Sequence, residues 1–285
     1  MSDANGSQPA IVADSVWVRF WMRRQRSEQT VREAFVRVFE FARRRRDRDA
    51  ERASKEFWAL RGIDVRIHRG ETIGLIGHNG AGKTTFLKTL AGICPPDRGS
   101  VTVQGRVSCL LSFGVGFNPR LSGRENVYLN GSILGLSRRE IDTRMDEIIE
   151  FSELGDFIDS PTRTYSAGMR GRLGFSIAIH VNPDILLLDE VLSVGDAAFR
   201  KKAGTILERF HNADKTVVLA THSLKMVRES CDRAMWLDHG TIRAIGPAQE
   251  IADEYEEVTS GQPADSPEAA ETAKKPVESS AYDDA

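Results

Sequence analysis

Long apolar runs are missing from this chain of 285 residues. None approaches the ~20 residues that a membrane-spanning helix needs, so no span is expected. The N-terminus is polar and lacks an apolar core segment, so no signal peptide is expected. Cysteine is scarce: Cys94, Cys109 and Cys231 are scattered and odd in number. They suit a reduced cytosolic compartment and read as small buried hydrophobes rather than a disulfide framework. No internal repeat is present. A strong overall charge is missing too, the formal net charge being −2. That balance hides an asymmetry, because basic residues outnumber acidic ones over residues 19–48 and the reverse holds over 253–285. What is present is a soluble composition, 40% apolar and 28% charged, with length for one large domain or two small ones.

The chain is organised around Gly77-His78-Asn79-Gly80-Ala81-Gly82-Lys83-Thr84-Thr85, which fits the phosphate-binding pattern G-x-x-x-x-G-K-[ST]. Before it, Thr72, Ile73, Gly74, Leu75 and Ile76 read as a short buried strand. After it, Phe86, Leu87, Leu90 and Ala91 recur at helical spacing. Strand, glycine-rich loop and helix are the context this motif requires. The glycines let backbone N–H groups approach phosphate oxygens, and the helix N-terminus adds positive partial charge. Lys83 can then reach the β- and γ-phosphates, and the Thr84 hydroxyl can ligate Mg²⁺.

Residues 1–10 read as a disordered N-terminus, and Val16-Trp17-Val18-Arg19-Phe20 alternates like a strand. In residues 21–56, Val31, Phe35, Val38, Phe39 and Ala42 share one helical face, beside Arg32, Arg37 and the run Arg43-Arg44-Arg45-Arg46. This basic amphipathic segment reads as a membrane-surface or partner-groove element, or as an ordinary packed surface helix. Ile63, Val65 and Ile67 form a strand expected to hairpin into the strand before the phosphate loop. Strands are also expected at 101–103 and 107–111. Two capping boxes, Ser122-x-x-Glu125 and Ser137-x-x-Glu140, open helices, and Ser166 caps a third. A strand over 185–189 leads to Asp189 and Glu190, and Asp196 caps the helix after it. Another strand over 216–220 ends at Thr221-His222-Ser223. A hairpin turns at Asp238-His239-Gly240. A short helix runs from Pro247 to about Glu257, and the acidic tail over 258–285 is too polar to fold alone.

A phosphate loop followed by an apolar strand ending in Asp-Glu is a nucleotide-hydrolase arrangement. Asp189 sits where it can hold Mg²⁺, and Glu190 where it can orient the attacking water. The base-reading Asn-Lys-x-Asp motif of GTPases is missing.

Tyr165-Ser166-Ala167-Gly168-Met169, about twenty residues before Asp189, resembles in divergent form the signature of ABC-transporter ATPases. Ser193-Val194-Gly195-Asp196 looks like their D-loop, and His222 like their switch histidine. The resemblance covers residues 11–255. It implies an α/β, ABC-type nucleotide-binding domain over 11–257: a RecA-like parallel-sheet core, an antiparallel β subdomain and a helical subdomain over 122–180. It further implies an ATPase acting as a homodimer. Lys83, Thr84 and their loop in one copy would face Ser166, Ala167 and Gly168 of the other, with His222 at the γ-phosphate and Phe20 stacked on adenine, ahead of Trp17. The family's Q-loop glutamine is absent; its place falls near Ser112-Phe113.

Within the family, Gly116-Phe117-Asn118-Pro119, the stretch from Leu121 through Gly131 and Gly155-Asp156-Phe157-Ile158-Asp159 resemble the polysaccharide and teichoic-acid exporters, the likeness extending to lipid-linked galactan export in mycobacteria. This implies a peripheral protein on the cytoplasmic face of the cell membrane. It would energise transport of a lipid-linked polysaccharide through a separate dimeric permease, with no nucleic-acid partner. The rival readings are an importer ATPase, a non-transport ABC ATPase acting on ribosomes or DNA, and a cassette without catalysis.

Overall fold

The computed structural model describes residues 8–22, 55–110, 116–189 and 197–260. Two sheets and a helical layer make up these parts. The first sheet is antiparallel, with β1 (Pro9–Met22) between β2 (Lys55–His68) and β4 (Arg98–Val103). The second contains β3 (Thr72–Ile76), β5 (Val107–Leu110), β6 (Ile185–Asp189), β7 (Thr216–Ala220), β8 (Arg233–Asp238) and β9 (Thr241–Pro247). Its order is β5-β6-β7-β3-β8-β9. All neighbours are parallel except the β8–β9 hairpin. Every residue of β3, β6 and β7 is buried. These strands are covered on both faces, and their near-continuous apolar sequences follow from that.

The expected hairpin from the 63–67 strand into the phosphate-loop strand does not form. β2 and β3 belong to different sheets. The turn at Gly70, with φ 75°, carries the chain from one sheet to the other. Both edges of β3 are already taken by β7 and β8, leaving no edge for β2. β1 begins at Pro9 and takes in the last two residues of the stretch expected to be disordered. The arms of β1 and β2 also run into the expected insertion, as far as Met22 and from Lys55. The rest of that insertion, its arginine run included, lies outside the described residues.

Helix α1 (Lys83–Leu90) lies between the sheets. Its Phe86 and Leu87 are fully buried in one cluster with Ile11, Leu60 and Ile63 from the antiparallel sheet and Ile73 and Leu75 from the parallel one. The phosphate loop is thereby tied to the main core.

The helices α2 (Gly123–Ile133), α3 (Arg138–Ser152) and α4 (Ala167–His180) fall within the expected helical subdomain. Both capping boxes form in full: the Ser122 and Ser137 hydroxyls accept from the Glu125 and Glu140 N–H groups, and each glutamate accepts from its serine N–H. Val127, Ile141, Met145, Ile148, Leu173 and Ile177 form a separate core there. The remaining helices are α5 (Ala197–Asn212), α6 (Leu224–Ser230) and α7 (Ala248–Ser260). α6 was not anticipated from the sequence, and α7 continues to Ser260, three residues into the expected tail. No described helix is long and apolar enough to cross a membrane.

Candidate nucleotide site

The parallel strands set the geometry. In register, Asp189 of β6 pairs with Ala220 of β7, and Leu75 of β3 pairs with the same Ala220. The phosphate loop after β3, the carboxylate ending β6 and the Thr221-His222-Ser223 turn after β7 therefore emerge side by side at the carboxyl ends of three adjacent strands. That edge of an open α/β sheet is where ligands bind.

Three glycines of the loop have positive φ: Gly77 at 144°, Gly80 at 85° and Gly82 at 110°. Two of them are also sterically required. A Cβ on Gly77 would lie 2.2 Å from the Leu237 carbonyl oxygen, and one on Gly82 would lie 2.8 Å from that of Ala59. His78, Asn79 and Gly80 are exposed at the lip, whereas Ala81 is buried. The Ala81 N–H donates to the His78 carbonyl, and the Ala81 carbonyl accepts from the Gly240 N–H. Gly82 opens α1 in the left-handed region, and Thr84 and Thr85 occupy the first turn.

Lys83 is only 6% exposed. Its Nζ folds back across the loop and donates to the carbonyls of Gly77 (2.7 Å) and His78 (3.2 Å). The ammonium is thus held inside the cradle where phosphate oxygens would sit. The Thr84 hydroxyl donates to Asp189 Oδ2 at 2.6 Å, joining α1 to the end of β6. Asp189 is 9% exposed. A hydroxyl and a carboxylate held this close are hard oxygen donors of the kind a small divalent cation takes. Across the β5–β6 ladder Cys109 pairs with Leu187. Burial, reinforced by the Asp189 charge, pushes the Cys109 thiol up to about 12. Burial likewise pushes Cys231 to about 12, with Asp232 adding to it.

His222 is exposed in the turn after β7. The Thr221 hydroxyl accepts from the Ser223 N–H, and the Ser223 hydroxyl accepts from the Met226 N–H, so the turn is fixed on both sides of the histidine. Glu190 lies outside the described residues, as do Ser193, Val194, Gly195, Asp196, Ser112 and Phe113.

Ser166, Ala167 and Gly168 stand at the head of α4, in the helical subdomain rather than in the core beneath the phosphate loop. The Ser166 hydroxyl accepts from the Met169 N–H, so it acts as an N-cap. Ser166 and Ala167 are exposed and Gly168 half-buried. Phe20 is 43% exposed and pairs across β1–β2 with Phe57, itself 44% exposed. The neighbouring Val18 pairs with Leu60, whose Cδ2 would lie 3.1 Å from a Cβ on Gly82. Phe20 is thus a short step along the strand from the phosphate loop. Trp17 stacks edge-on against Trp58 at 5.5 Å.

Sequence reasoning did not anticipate the role of the β8–β9 turn. The Leu237 carbonyl limits Gly77. Gly240, with φ 83°, could not carry a Cβ, which would lie 2.6 Å from the Ala59 carbonyl. These contacts are made by backbone, and Gly240 was their one readable signal.

Fold and loop together define an ABC-type nucleotide-binding domain. A family model described as ABC transporter matches residues 60–193. The O-antigen export system ATP-binding protein of Myxococcus xanthus is 46% identical over 254 residues, 89% of this chain and 57% of that protein. One from Klebsiella pneumoniae is 46% identical over 203 residues, 71% of this chain and 82% of that protein. The teichoic acids export ATP-binding protein of Enterococcus faecalis is 48% identical over 199 residues, 70% of this chain and 44% of that protein. The solved dimer of the ATP-binding cassette MJ0796, in a post-hydrolysis state with ADP and phosphate, superposes with a TM-score of 0.65 at 20% identity, covering 84% of this chain and 98% of that one. The chain therefore belongs to the ABC transporter family; the relatives named above are ATP-binding proteins of O-antigen and teichoic acid export. The chain spans a little over half the length of the Myxococcus relative and less than half that of the Enterococcus one.

Proposed function

We propose that this chain is the ATP-hydrolysing subunit of an exporter of lipid-linked polysaccharide. The observation that carries the reading is the buried Lys83 held inside the loop, together with the Thr84–Asp189 contact at 2.6 Å. Thr84 and Asp189 would hold Mg²⁺, which offsets phosphate charge when bound. Lys83 places a positive charge against the β- and γ-phosphates, and the loop N–H groups cradle them. Glu190 follows Asp189 in sequence, orients the attacking water and accepts its proton as the bond from γ-phosphorus to the β-bridging oxygen breaks. His222 contacts the γ-phosphate, and Phe20 offers a face to adenine. Little covalent chemistry is asked of the protein, so its contribution is positioning and electrostatics.

Ser166, Ala167 and Gly168 complete the site from a second copy. In support, Ser166 caps a helix that lies outside the cluster holding α1, and Ser166 and Ala167 are exposed. The substrate class rests on the names of the relatives, which specify O-antigen and teichoic acids. A galactan is a third polymer of this kind. A separate membrane permease dimer would pass the polymer, with this chain peripheral on its cytoplasmic side. The arginine-rich segment over 21–56 is the proposed contact with that permease or the lipid surface.

The test is Lys83→Ala in the producing cell and in the purified transporter. ATP turnover should be lost, and undecorated cells should accumulate lipid-linked polymer inside the membrane. Normal turnover would remove the ATPase reading. Lost turnover with normal polymer export would remove the substrate reading.

A further inference from the structure

We propose that His78, Asp238 and His239 form a binding site for a divalent transition metal of the zinc class, clamping the phosphate loop to the β8–β9 turn. The donor atoms of the three side chains lie within 4.8 Å of one another. His78 Nε2 is 3.1 Å from Asp238 Oδ1, and His239 Nδ1 is 2.7 Å from the same oxygen. The two imidazole rings are tilted against each other with centroids 4.7 Å apart. Neighbouring ligands on one zinc ion, each about 2.0–2.2 Å from the metal, stand at comparable separations. A small turn of the exposed imidazoles brings all three donors onto one ion.

Three further features point the same way. His78 Nδ1 lies 2.7 Å from the Asn79 carbonyl. Donation from that nitrogen fixes the tautomer and aims Nε2 at Asp238, which is how metal-ligating histidines are commonly oriented from behind. His239 holds φ at 46° beside Gly240 at 83°. Histidine is, with Asn and Asp, among the non-glycine residues that adopt this left-handed conformation most readily, so the two-residue turn can carry an imidazole at its tip. The turn itself is firm, since the Thr241 hydroxyl donates to the Asp238 carbonyl at 2.8 Å.

Two imidazoles and one carboxylate favour zinc, copper or nickel over Mg²⁺, which takes oxygen ligands. The site is therefore chemically distinct from the Thr84–Asp189 pair. Its open side leaves positions for water. An ion there would link the residue whose carbonyl accepts from Lys83 to the turn whose Gly240 N–H bonds Ala81.

The test uses the metal-free full chain without nucleotide, with Zn²⁺ alone as probe. Equilibrium dialysis should find a zinc ion bound at this site in the wild type. Binding should be at least tenfold weaker in both His239→Ala and the near-isosteric Asp238→Asn. X-ray absorption of the wild-type zinc form should show two imidazole nitrogens and no sulfur, a result independent of how the variants fold. Excess Zn²⁺ should raise the thermal midpoint of the wild type by clearly more than that of either folded variant. No zinc binding by the wild type, thiolate sulfur at the metal, or undiminished affinity in a folded variant would each overturn the proposal.

Discussion

Lys83 and Ser166 are both polar residues at the head of a helix, yet their surroundings are opposite. Lys83 is 6% exposed and donates to two carbonyls of its own loop. Its helix packs between two sheets through Phe86 and Leu87. Ser166 is exposed, its hydroxyl accepts from the Met169 N–H, and its helix packs into the helical core through Leu173 and Ile177 and onto the parallel sheet through Phe175 and Ile179, apart from the cluster that holds α1. One region is thus organised by this chain's own interior, and the other presents its groups outward. In the proposed dimer the first supplies charge and metal ligands, and the second supplies surface to the opposite copy.

The largest effect on that contrast should come from Glu190→Gln. Loss of the carboxylate proposed to orient water should lower turnover by ~10²-fold or more while ATP binding persists, so nucleotide-bound dimers accumulate. Steady-state hydrolysis and size-exclusion chromatography with ATP measure the two parts. Near-normal turnover would mean that another group orients the water.

Phe86→Ala comes next. Truncating this fully buried side chain should cost about 3–5 kcal/mol of stability. Because α1 carries Lys83 and Thr84, nucleotide affinity should weaken too, and chemical denaturation alongside ATP titration would show both. Stability lost with affinity untouched would mean that the loop is not held by the core beneath it.

Tyr165→Phe is the matching change in the helical subdomain, with the smallest effect. Tyr165 is buried, and its hydroxyl donates to the Phe157 carbonyl at 2.6 Å. Burial raises its phenol, which keeps the donor protonated. Removing one such hydrogen bond should cost about 0.5–1.5 kcal/mol. ATP binding by the isolated chain should stay as in the wild type. Weakened single-chain binding would erase the distinction between the regions.

The sequence was most readable where side-chain identity and local spacing decide the structure. The glycine loop, the run ending at Asp189 and both capping boxes depend on contacts within a few residues, and each appears where its motif indicates. The hairpin expected between β2 and β3 failed for the converse reason: a turn signal reports a reversal of direction, not which sheet receives the next strand. α6 was missed because its seven residues are too few to show a periodic apolar face. The packing of Gly77 and Gly82 against the Leu237 and Ala59 carbonyls marks the glycines but not their partners, because a backbone carbonyl leaves no trace in its own residue's type. Ser166 was legible as a cap, but its place outside the main core emerged only with the fold.

The composite site is the central claim, and mixing two inactive chains tests it most directly. Lys83→Ala removes the loop's charge, and Ser166→Arg blocks the outward turn. Homodimers of either variant should neither hydrolyse ATP nor form ATP-dependent dimers. In a heterodimer, Lys83 of the Ser166→Arg chain meets Ser166 of the Lys83→Ala chain, restoring one intact site, so the mixture should recover part of the wild-type hydrolysis and dimerise with ATP. A mixture as inactive as its components, or crosslinking of Ser166 to ATP bound by its own chain, would contradict the account.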